Sequence, residues 1–222
     1  MYVRFSQPMK TTGNLEKIHL TDEQGIKVEA IFNNVYELWN QDQTQLTLIF
    51  DPARVKTGLV ANEQMGRALQ EEKSYTLTIE QLEDVHHRKM ESAFEKKFKA
   101  SKADTIAPDI KGWKMNLPQS NTNSPFTINF PDLLDYNSLQ TRIVLINEDS
   151  TVINGTIKVE EHERQWSFLP DKNWEKGTYF LLINARLEDP SGNNLNGLFD
   201  HKIGSLKYKR EGVTQSLKFE LK

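Results

Sequence analysis

The fold is decided by two neighbouring stretches, WSFLP at residues 166–170 and GTYFLLINARLEDPSGN at residues 177–193. Trp166 and Phe168 alternate with other residues, which is the period-two pattern of a strand, and Pro170 ends that strand. The second stretch begins at a glycine corner, continues through β-favouring residues and ends in turn residues. We interpret the whole as one β-unit with two strands and two turns.

A similar order of landmarks occurs earlier in the chain. The pairs are Phe5 with Phe130, Trp39 with Trp166, Pro52 with Pro170, Tyr75 with Tyr179, and Glu83-Asp84 with Glu188-Asp189. Two copies of a pattern with six or seven strands predict an all-β chain of two tandem Ig-like β-sandwich domains, with the tryptophans in the cores. The polar segment 101–108 ends in proline and predicts the boundary, which gives domains at residues 1–102 and 103–222.

The two copies differ in the length of one loop. Pro52 and Tyr75 are 23 residues apart, whereas Pro170 and Tyr179 are 9 apart, so the first copy carries 14 extra residues. They fall within residues 53–70, where we predict a long loop with one helical turn.

The copies also differ at their starts. Residues 112–117 form a predicted strand ahead of Phe126, whereas nothing precedes the strand at Tyr2. We expect the first domain to lack its first strand, either because that strand was removed or because another chain supplies it. The chain opens abruptly in strand alternation, so we also expect a preceding export signal that is absent from this sequence.

Residues 82–101 fit either a short helix or a strand on their pattern alone. Comparison with the second copy favours a turn at residues 84–89, followed by a strand through Phe94 and Phe98. Towards the end of the chain, residues 202–209 and 216–221 are two further candidate strands.

These residues also carry a family resemblance. The order YVRFSQPM, LTLIFDP and SYTLTIEQLED, and then FTINF, WSFLP, KGTYFLLI and LEDPSGN, is similar to bacterial Ig-like domains of the S-layer type. The resemblance covers nearly the whole chain and implies Ig-like sandwiches in an exported or surface protein that serve as spacers or binding modules. The first copy has Asp84-Val-His-His-Arg88 in place of the Asp-x-x-Gly-Asn turn, which leaves its turn geometry open.

Composition excludes several classes of function. With 28 Lys and Arg against 31 Asp and Glu, the formal charge is −3, which does not fit nucleic-acid binding. The absence of cysteine excludes disulfides, thiolate zinc sites and a cysteine nucleophile. No apolar run approaches the ~18 residues of a membrane span. The common catalytic motifs are also missing, so we predict no cofactor and no enzymatic activity.

Two turns hold residues that could bind a metal ion. Asp84 and His86 lie at the first turn, but adjacent strand residues point in opposite directions, so His86 and His87 would not share one ion. Asp189 and Asn193 at the second turn, with Ser191, Asn194 and Asp200 nearby, supply oxygen ligands that suit calcium. Exposed polar turns explain the same residues, so these are weak candidates.

The extra loop is the predicted site of function, because binding residues are often built on loops of a rigid scaffold. Its candidate binding residues are Arg54, Lys56, Asn62, Glu63 and Arg67. A loop that only packs over the sandwich fits equally well. Trp39 and Trp113, with Tyr36 and Trp174, could instead stack on sugars, although large aromatics more often belong to a core.

We therefore predict a non-catalytic binding or spacer module of the bacterial cell envelope, exported to the periplasm or cell surface, with a protein or surface glycan as partner. One alternative is a carbohydrate-binding accessory module. Another is a hydrolase with an unrecognised site, which needs two acids, or a histidine and an acid, in one cleft.

Overall fold

The structure is a computed structural model that describes residues 1–33, 35–200 and 214–222. It divides into two compact units, unit 1 at Met1–Ala103 and unit 2 at Asp104–Lys222. The predicted strand at residues 202–209 and His201 lie outside the described residues. Both units are built from antiparallel sheets with few helices, so the chain is all-β, as the alternating pattern predicts.

Unit 1 is a sandwich of two three-stranded sheets. One sheet has the order β1-β4-β3 and the other the order β2-β5-β6. The strands are β1 (Tyr2–Arg4), β2 (Ile18–Asp22), β3 (Leu38–Trp39), β4 (Gln45–Thr47), β5 (Ser74–Ile79) and β6 (Phe94–Lys99). Two short helices follow β4, namely α1 (Pro52–Val55) and α2 (Val60–Met65), and a 3-10 turn at Leu15–Lys17 precedes β2.

The described residues of unit 2 form a sandwich of seven strands. Its sheets have the orders β10-β11-β8-β7 and β13-β12-β9, the four-plus-three arrangement of an Ig constant-type domain. The strands are β7 (Lys114–Asn116), β8 (Phe126–Asn129), β9 (Ile143–Asn147), β10 (Gly155–Glu160), β11 (Gln165–Pro170), β12 (Gly177–Ile183) and β13 (Gln215–Leu221). A 3-10 turn at Ile110–Gly112 precedes β7. Among the described residues, unit 1 has no counterpart of β7.

Aromatic side chains fill the core of unit 2. Trp166 of β11 is buried and donates from its indole nitrogen to the carbonyl of Leu139 at 3.0 Å. Phe126 and Phe219 come from opposite sheets and stack at 4.9 Å, which joins the two layers. The prediction of a core tryptophan is confirmed for Trp166. Trp174 is also buried, so the suggestion that it stacks on a sugar is wrong.

A helix that the sequence analysis did not predict connects β8 to β9. This helix, α3 (Tyr136–Thr141), begins after Asp135, whose carboxylate accepts from the amide of Ser138 at 2.8 Å. Leu139 of the helix is buried in the core. Aspartate is one of the residues preferred immediately before the first helical residue, so Asp135 is a signal for this helix start in the sequence.

Strand pairing corrects two of the landmark pairs. The amides of Phe5 and Phe130 each donate at 2.8 Å to the residue just before a central strand, Thr44 before β4 and Arg164 before β11. Gln45 therefore corresponds to Gln165, and Leu46 corresponds to Trp166. The pairing of Trp39 with Trp166 is wrong, since Trp39 lies on β3 and β3 corresponds to β10. Pro52 begins α1 whereas Pro170 ends β11, so that pair is wrong too.

Candidate functional site

The insertion of unit 1 is longer than the landmarks suggested. Gln45 and Tyr75 are 30 residues apart, and Gln165 and Tyr179 are 14 apart, so the excess is 16 residues rather than 14. It forms α1 and α2, where one helical turn was predicted.

Arg54 holds the insertion together from the inside. Its side chain is buried, and its guanidinium donates to the carbonyl of Gly66 at 3.0 Å and to the carbonyl of Glu29. The Asn62 side chain donates to the carbonyl of Arg54 at 2.9 Å. Both predicted binding residues are therefore engaged with the backbone of unit 1 rather than presented at its surface. Buried polar groups that keep their hydrogen bonds rigidify a loop.

The surface of the insertion carries both charged and apolar side chains. Glu63 and Arg67 are exposed and Lys56 is half-buried, and Arg67 donates to the hydroxyl of Thr57 at 3.3 Å. Three large apolar side chains are exposed as well, those of Leu59, Val60 and Met65. The predicted charged candidates thus share this surface with apolar residues that the sequence analysis did not single out.

A tyrosine hydroxyl ties down the end of the insertion. The hydroxyl of Tyr75 on β5 accepts from the amide of Gln70 at 2.8 Å. Unit 2 has the same contact without an insertion, since the hydroxyl of Tyr179 on β12 accepts from the Glu175 amide at 3.1 Å and donates to its carbonyl at 3.0 Å. This is the tyrosine corner of Ig-like sandwiches, and it anchors the insertion to the core.

A small apolar pocket of about 50 Å³ opens beside β3 in unit 1. Its buried floor contains Phe32 and Leu48, and its exposed rim contains Tyr36, Leu38 and Ile49. The other lining residues are Leu15, Asn33 and Thr47. Phe32 and Asn33 contact the backbone of Phe50 and Ile49, just after β4. The pairing is then interrupted and resumes where β3 pairs with β4, and the pocket lies at this interruption.

The rim is more exposed than such residues usually are. Tyr36 is 76% exposed and its neighbour Val35 is 68% exposed. Large apolar side chains grouped around a pocket indicate an interaction surface, whereas single exposed ones are ordinary. The sequence offers Tyr36 only as a residue that could stack on a sugar, and its pattern does not predict this pocket.

Trp39 faces away from this pocket and belongs to the inner layer. Its ring packs on Phe5 with 5.5 Å between centroids, and its indole nitrogen donates to Glu37 at 3.0 Å. The same carboxylate accepts from the amide and the side chain of Asn14 at 2.6 and 2.7 Å. Burial opposes ionisation of Glu37, but these hydrogen bonds outweigh it and hold its pKa below the usual value.

Trp113 has a comparable structural position in unit 2. It is half-buried and meets Phe130 edge-on at 4.7 Å, just as Trp39 covers the corresponding Phe5. Neither of these predicted tryptophans stands as an exposed platform on which a sugar ring could stack.

The turn at Asp84 uses its carboxylate internally. One oxygen accepts from the amides of His86 at 2.8 Å and Arg88 at 2.9 Å, and the other accepts from the Arg88 guanidinium at 2.6 Å. Burial alone would raise the pKa of Asp84, but the hydrogen bonds and charge of Arg88, with the His86 amide, lower it. The turn and the following strand β6 confirm the prediction for residues 84–89 and 94–98.

The turn at Asp189 has the same hydrogen bonds with a different partner. One oxygen accepts from the amides of Ser191 at 2.8 Å and Asn193 at 2.9 Å, and the other accepts from the Asn193 side chain at 2.9 Å. Burial raises the pKa of Asp189, and the hydrogen bonds of Asn193 and Ser191 only reduce this effect. Nearby Asp104 raises it further.

The weak metal candidates are thus engaged in their own turns. His86 is exposed, and its amide, not its imidazole, contacts Asp84. Within residues 1–33, 35–200 and 214–222, no three His, Asp or Glu side chains are placed to hold an ion.

No helix in the described part of the chain is both long enough and apolar enough to cross a membrane.

The two pairs of adjacent acids, Glu83-Asp84 and Glu188-Asp189, are the carboxylates that a hydrolase could use. Glu83-Asp84 and Glu188-Asp189 lie in different units, and the aspartate of each pair is buried in its turn. Glu188 is half-buried, and burial, followed by the charge of Asp135, raises its pKa. His162 is exposed at the turn between β10 and β11.

Comparisons with known proteins add little to this description. No family model matches the chain, and no curated protein matches it. Among solved structures, it is similar to native alpha-2-macroglobulin from Escherichia coli in a crystal structure spanning domains MG0-NIE-MG1, with 10% identity and a TM-score of 0.29. That match covers 100% of this chain and 84% of the other.

Proposed function

We propose that this chain is a non-catalytic binding module and that unit 1 contacts its partner through the pocket beside β3. The observation that carries the proposal is the exposed rim of Tyr36, Leu38 and Ile49 around a floor of Phe32 and Leu48. A pocket of about 50 Å³ accommodates a single apolar side chain, such as a leucine or isoleucine from a protein partner.

The chemistry of the lining favours a protein partner over a glycan. Asn33 and Thr47 are the polar lining residues, together with the hydroxyl of Tyr36. A sugar presents several hydroxyl groups that require more hydrogen-bonding side chains than these. Tyr36 could stack on a sugar ring, so the carbohydrate-binding alternative is tested below.

The distribution of apolar residues supports unit 1 as the binding unit. Of the 16 large hydrophobic side chains that are exposed among the described residues, 10 lie in unit 1. Among the described residues, the buried core of unit 1 has 13 residues against 18 in unit 2, so the smaller core coincides with the more apolar surface. Contiguous exposed apolar patches commonly mark interaction surfaces.

The wider setting rests on the sequence resemblance. The resemblance to bacterial Ig-like domains of the S-layer type implies a spacer or binding module that is exported to the cell envelope, and we retain that as part of the proposal. An enzymatic role, such as a hydrolase, would need Glu188 or another titratable group to face a substrate cleft.

The test compares pocket variants with a control in the other unit. Linear peptides selected for binding from a display library are titrated against the wild type, Tyr36→Ala, Ile49→Asp and the exposed control Val152→Asp. We expect both pocket variants to weaken binding about tenfold or more and the control to leave it unchanged.

Two parallel measurements address the alternatives. A glycan-array signal that disappears in Tyr36→Ala would favour the carbohydrate-binding module. A hydrolytic activity that the wild type shows and Glu188→Gln lacks would overturn the non-catalytic proposal. Selected peptides that bind all four proteins equally would show that the pocket is not the contact.

A further inference from the structure

Strand β6 has six residues and is the longest of the edge strands in the described part of unit 1, where β1, β2 and β3 have three, five and two. It pairs with β5 along all six of its residues, from Ile79 with Phe94 to Ser74 with Lys99. In the described part of the chain, no strand pairs with its other side. An edge of this length is a template on which another strand can add.

The backbone groups of β6 divide between its two sides. The amide of Ala100, just after β6, donates to the carbonyl of Lys73, and the Ala100 carbonyl accepts from Glu72. Because direction alternates along an antiparallel strand, the backbone groups of Glu95, Lys97 and Lys99 point away from β5. Three residues of β6 therefore present donors and acceptors to an added strand.

The two faces of β6 offer different side chains. Phe94, Lys96 and Phe98 share the face of the buried residues on β5, and Phe94 is 49% exposed there. Phe98, which pairs with Tyr75, is half-buried, whereas the corresponding Phe219 of unit 2, which pairs with Tyr179, is only 5% exposed. Glu95, Lys97 and Lys99 occupy the opposite face, where Lys99 pairs with Glu72. Lys96 and Lys97 have no carboxylate partner among the described residues.

We propose that the free edge of β6 binds an extended peptide segment of a partner in which apolar and acidic residues alternate. The backbone of the segment would pair with Glu95, Lys97 and Lys99. Its apolar side chains would cover Phe94 and Phe98, and its carboxylates would lie on the opposite face beside Lys97. The period of two along a strand matches this division of apolar and charged contacts.

The charge of β6 selects this occupant over a second copy of the chain. Two β6 strands would bring six lysines against two glutamates, and like charges opposite each other destabilise a strand pair. Lysines on an edge strand also discourage such self-pairing. A segment with acidic residues would not bring like charges against the lysines of β6.

The probe is a synthetic peptide of about six residues in which valine and glutamate alternate. Titration into the full chain, followed by NMR, is expected to give a Kd below about 1 mM and to protect the amides of Glu95, Lys97 and Lys99 from hydrogen exchange. Lys97→Glu is expected to weaken binding about fivefold to tenfold.

A proline variant separates strand addition from simple charge attraction. Lys97→Pro removes an amide that points away from β5, so β6 keeps its pairing while the added strand loses a donor. Binding should be lost in Lys97→Pro and kept in Lys218→Pro, the matched position of edge strand β13.

Several results would overturn the proposal. They are the absence of peptide binding to the wild type, equal binding by Lys97→Pro, and equal loss in Lys218→Pro. A dimer of the free chain that Lys97→Pro dissociates would identify a second copy as the occupant instead.

Discussion

Asp84 in unit 1 and Asp189 in unit 2 hold turns of the same shape with opposite electrostatics. In each turn one carboxylate oxygen accepts from the amides two and four residues later. Each turn also has a left-handed residue three positions after the aspartate, His87 and Gly192. The two turns share the aspartate and the left-handed position, while the residue types at the other positions differ.

The two turns differ in what faces the second carboxylate oxygen. Arg88 brings a positive charge to Asp84, and the pKa of that carboxyl falls below its usual value. Asn193 brings only a neutral amide to Asp189, and burial keeps the pKa of that carboxyl above its usual value. Ionisation of the aspartate therefore stabilises the turn in unit 1 and destabilises the turn in unit 2.

Removing either carboxylate should have the largest effect. Asp189→Ala leaves two backbone amides and the Asn193 side chain without their acceptor, which should lower the unfolding free energy of unit 2 by about 2 to 4 kcal/mol. We expect the loss in unit 1 from Asp84→Ala to be greater at neutral pH, because its carboxylate also pairs with Arg88. Hydrogen exchange of core amides measures each unit separately.

Asp22→Ala is the matched control for this prediction. Asp22 accepts from the amides of Gln24 at 3.0 Å and Ile26 at 2.8 Å, the same spacing in a more exposed turn of unit 1. If Asp22→Ala lowered the unfolding free energy of unit 1 as much as Asp84→Ala does, burial of the turn would not contribute to the effect.

The turns also show which parts of the fold the sequence could predict. Tyr75, Tyr179 and the two aspartates mark fixed positions because a hydroxyl or carboxylate must reach particular backbone groups there. Large aromatics are less reliable markers, since Leu46 fills the position of Trp166 while Trp39 lies on another strand. Packing specifies volume and apolarity rather than one residue type, so pairing by tryptophan failed.

The candidate site was harder to predict than the fold. The length of the chain between landmarks revealed the insertion. Which of its residues face outward depends on Arg54, whose buried side chain donates hydrogen bonds to the carbonyls of residues 29 and 66. The pocket at Tyr36 depends on the sheet pairing being interrupted between Asn33 and Leu38. Both are tertiary features that a charge pattern or a period of two does not contain.

Acid should affect the two units in opposite directions. Glu188 and Asp189 have raised pKa values, so folded unit 2 binds protons before the unfolded chain does and gains stability as the pH falls from neutral towards about 4. Glu37 and Asp84 have lowered pKa values, so their contribution to unit 1 is complete above about pH 4 and is lost below it. Hydrogen exchange across a pH series measures both trends.

Arg88→Gln sharpens the same comparison. It gives Asp84 a neutral partner, as in unit 2, and should raise the pKa of Asp84 so that unit 1 begins to lose stability at a higher pH. Unit 2 should keep its own profile. Parallel pH profiles for both units in the wild type would contradict the assignment of opposite shifts.

The smallest effects are expected at the left-handed position of each turn. Gly192 has φ +82°, and an added Cβ would lie 3.4 Å from the ring of Phe199, so Gly192→Ala should cost unit 2 about 1 kcal/mol. His87 holds φ +62° with a side chain, so His87→Gly relieves strain but increases the entropy of the unfolded chain. We expect a net gain in unit 1 of less than about 1 kcal/mol in thermal unfolding. A substantial loss in His87→Gly would show that the contact of 3.5 Å between His87 and Glu83 stabilises this turn more than its backbone strain destabilises it.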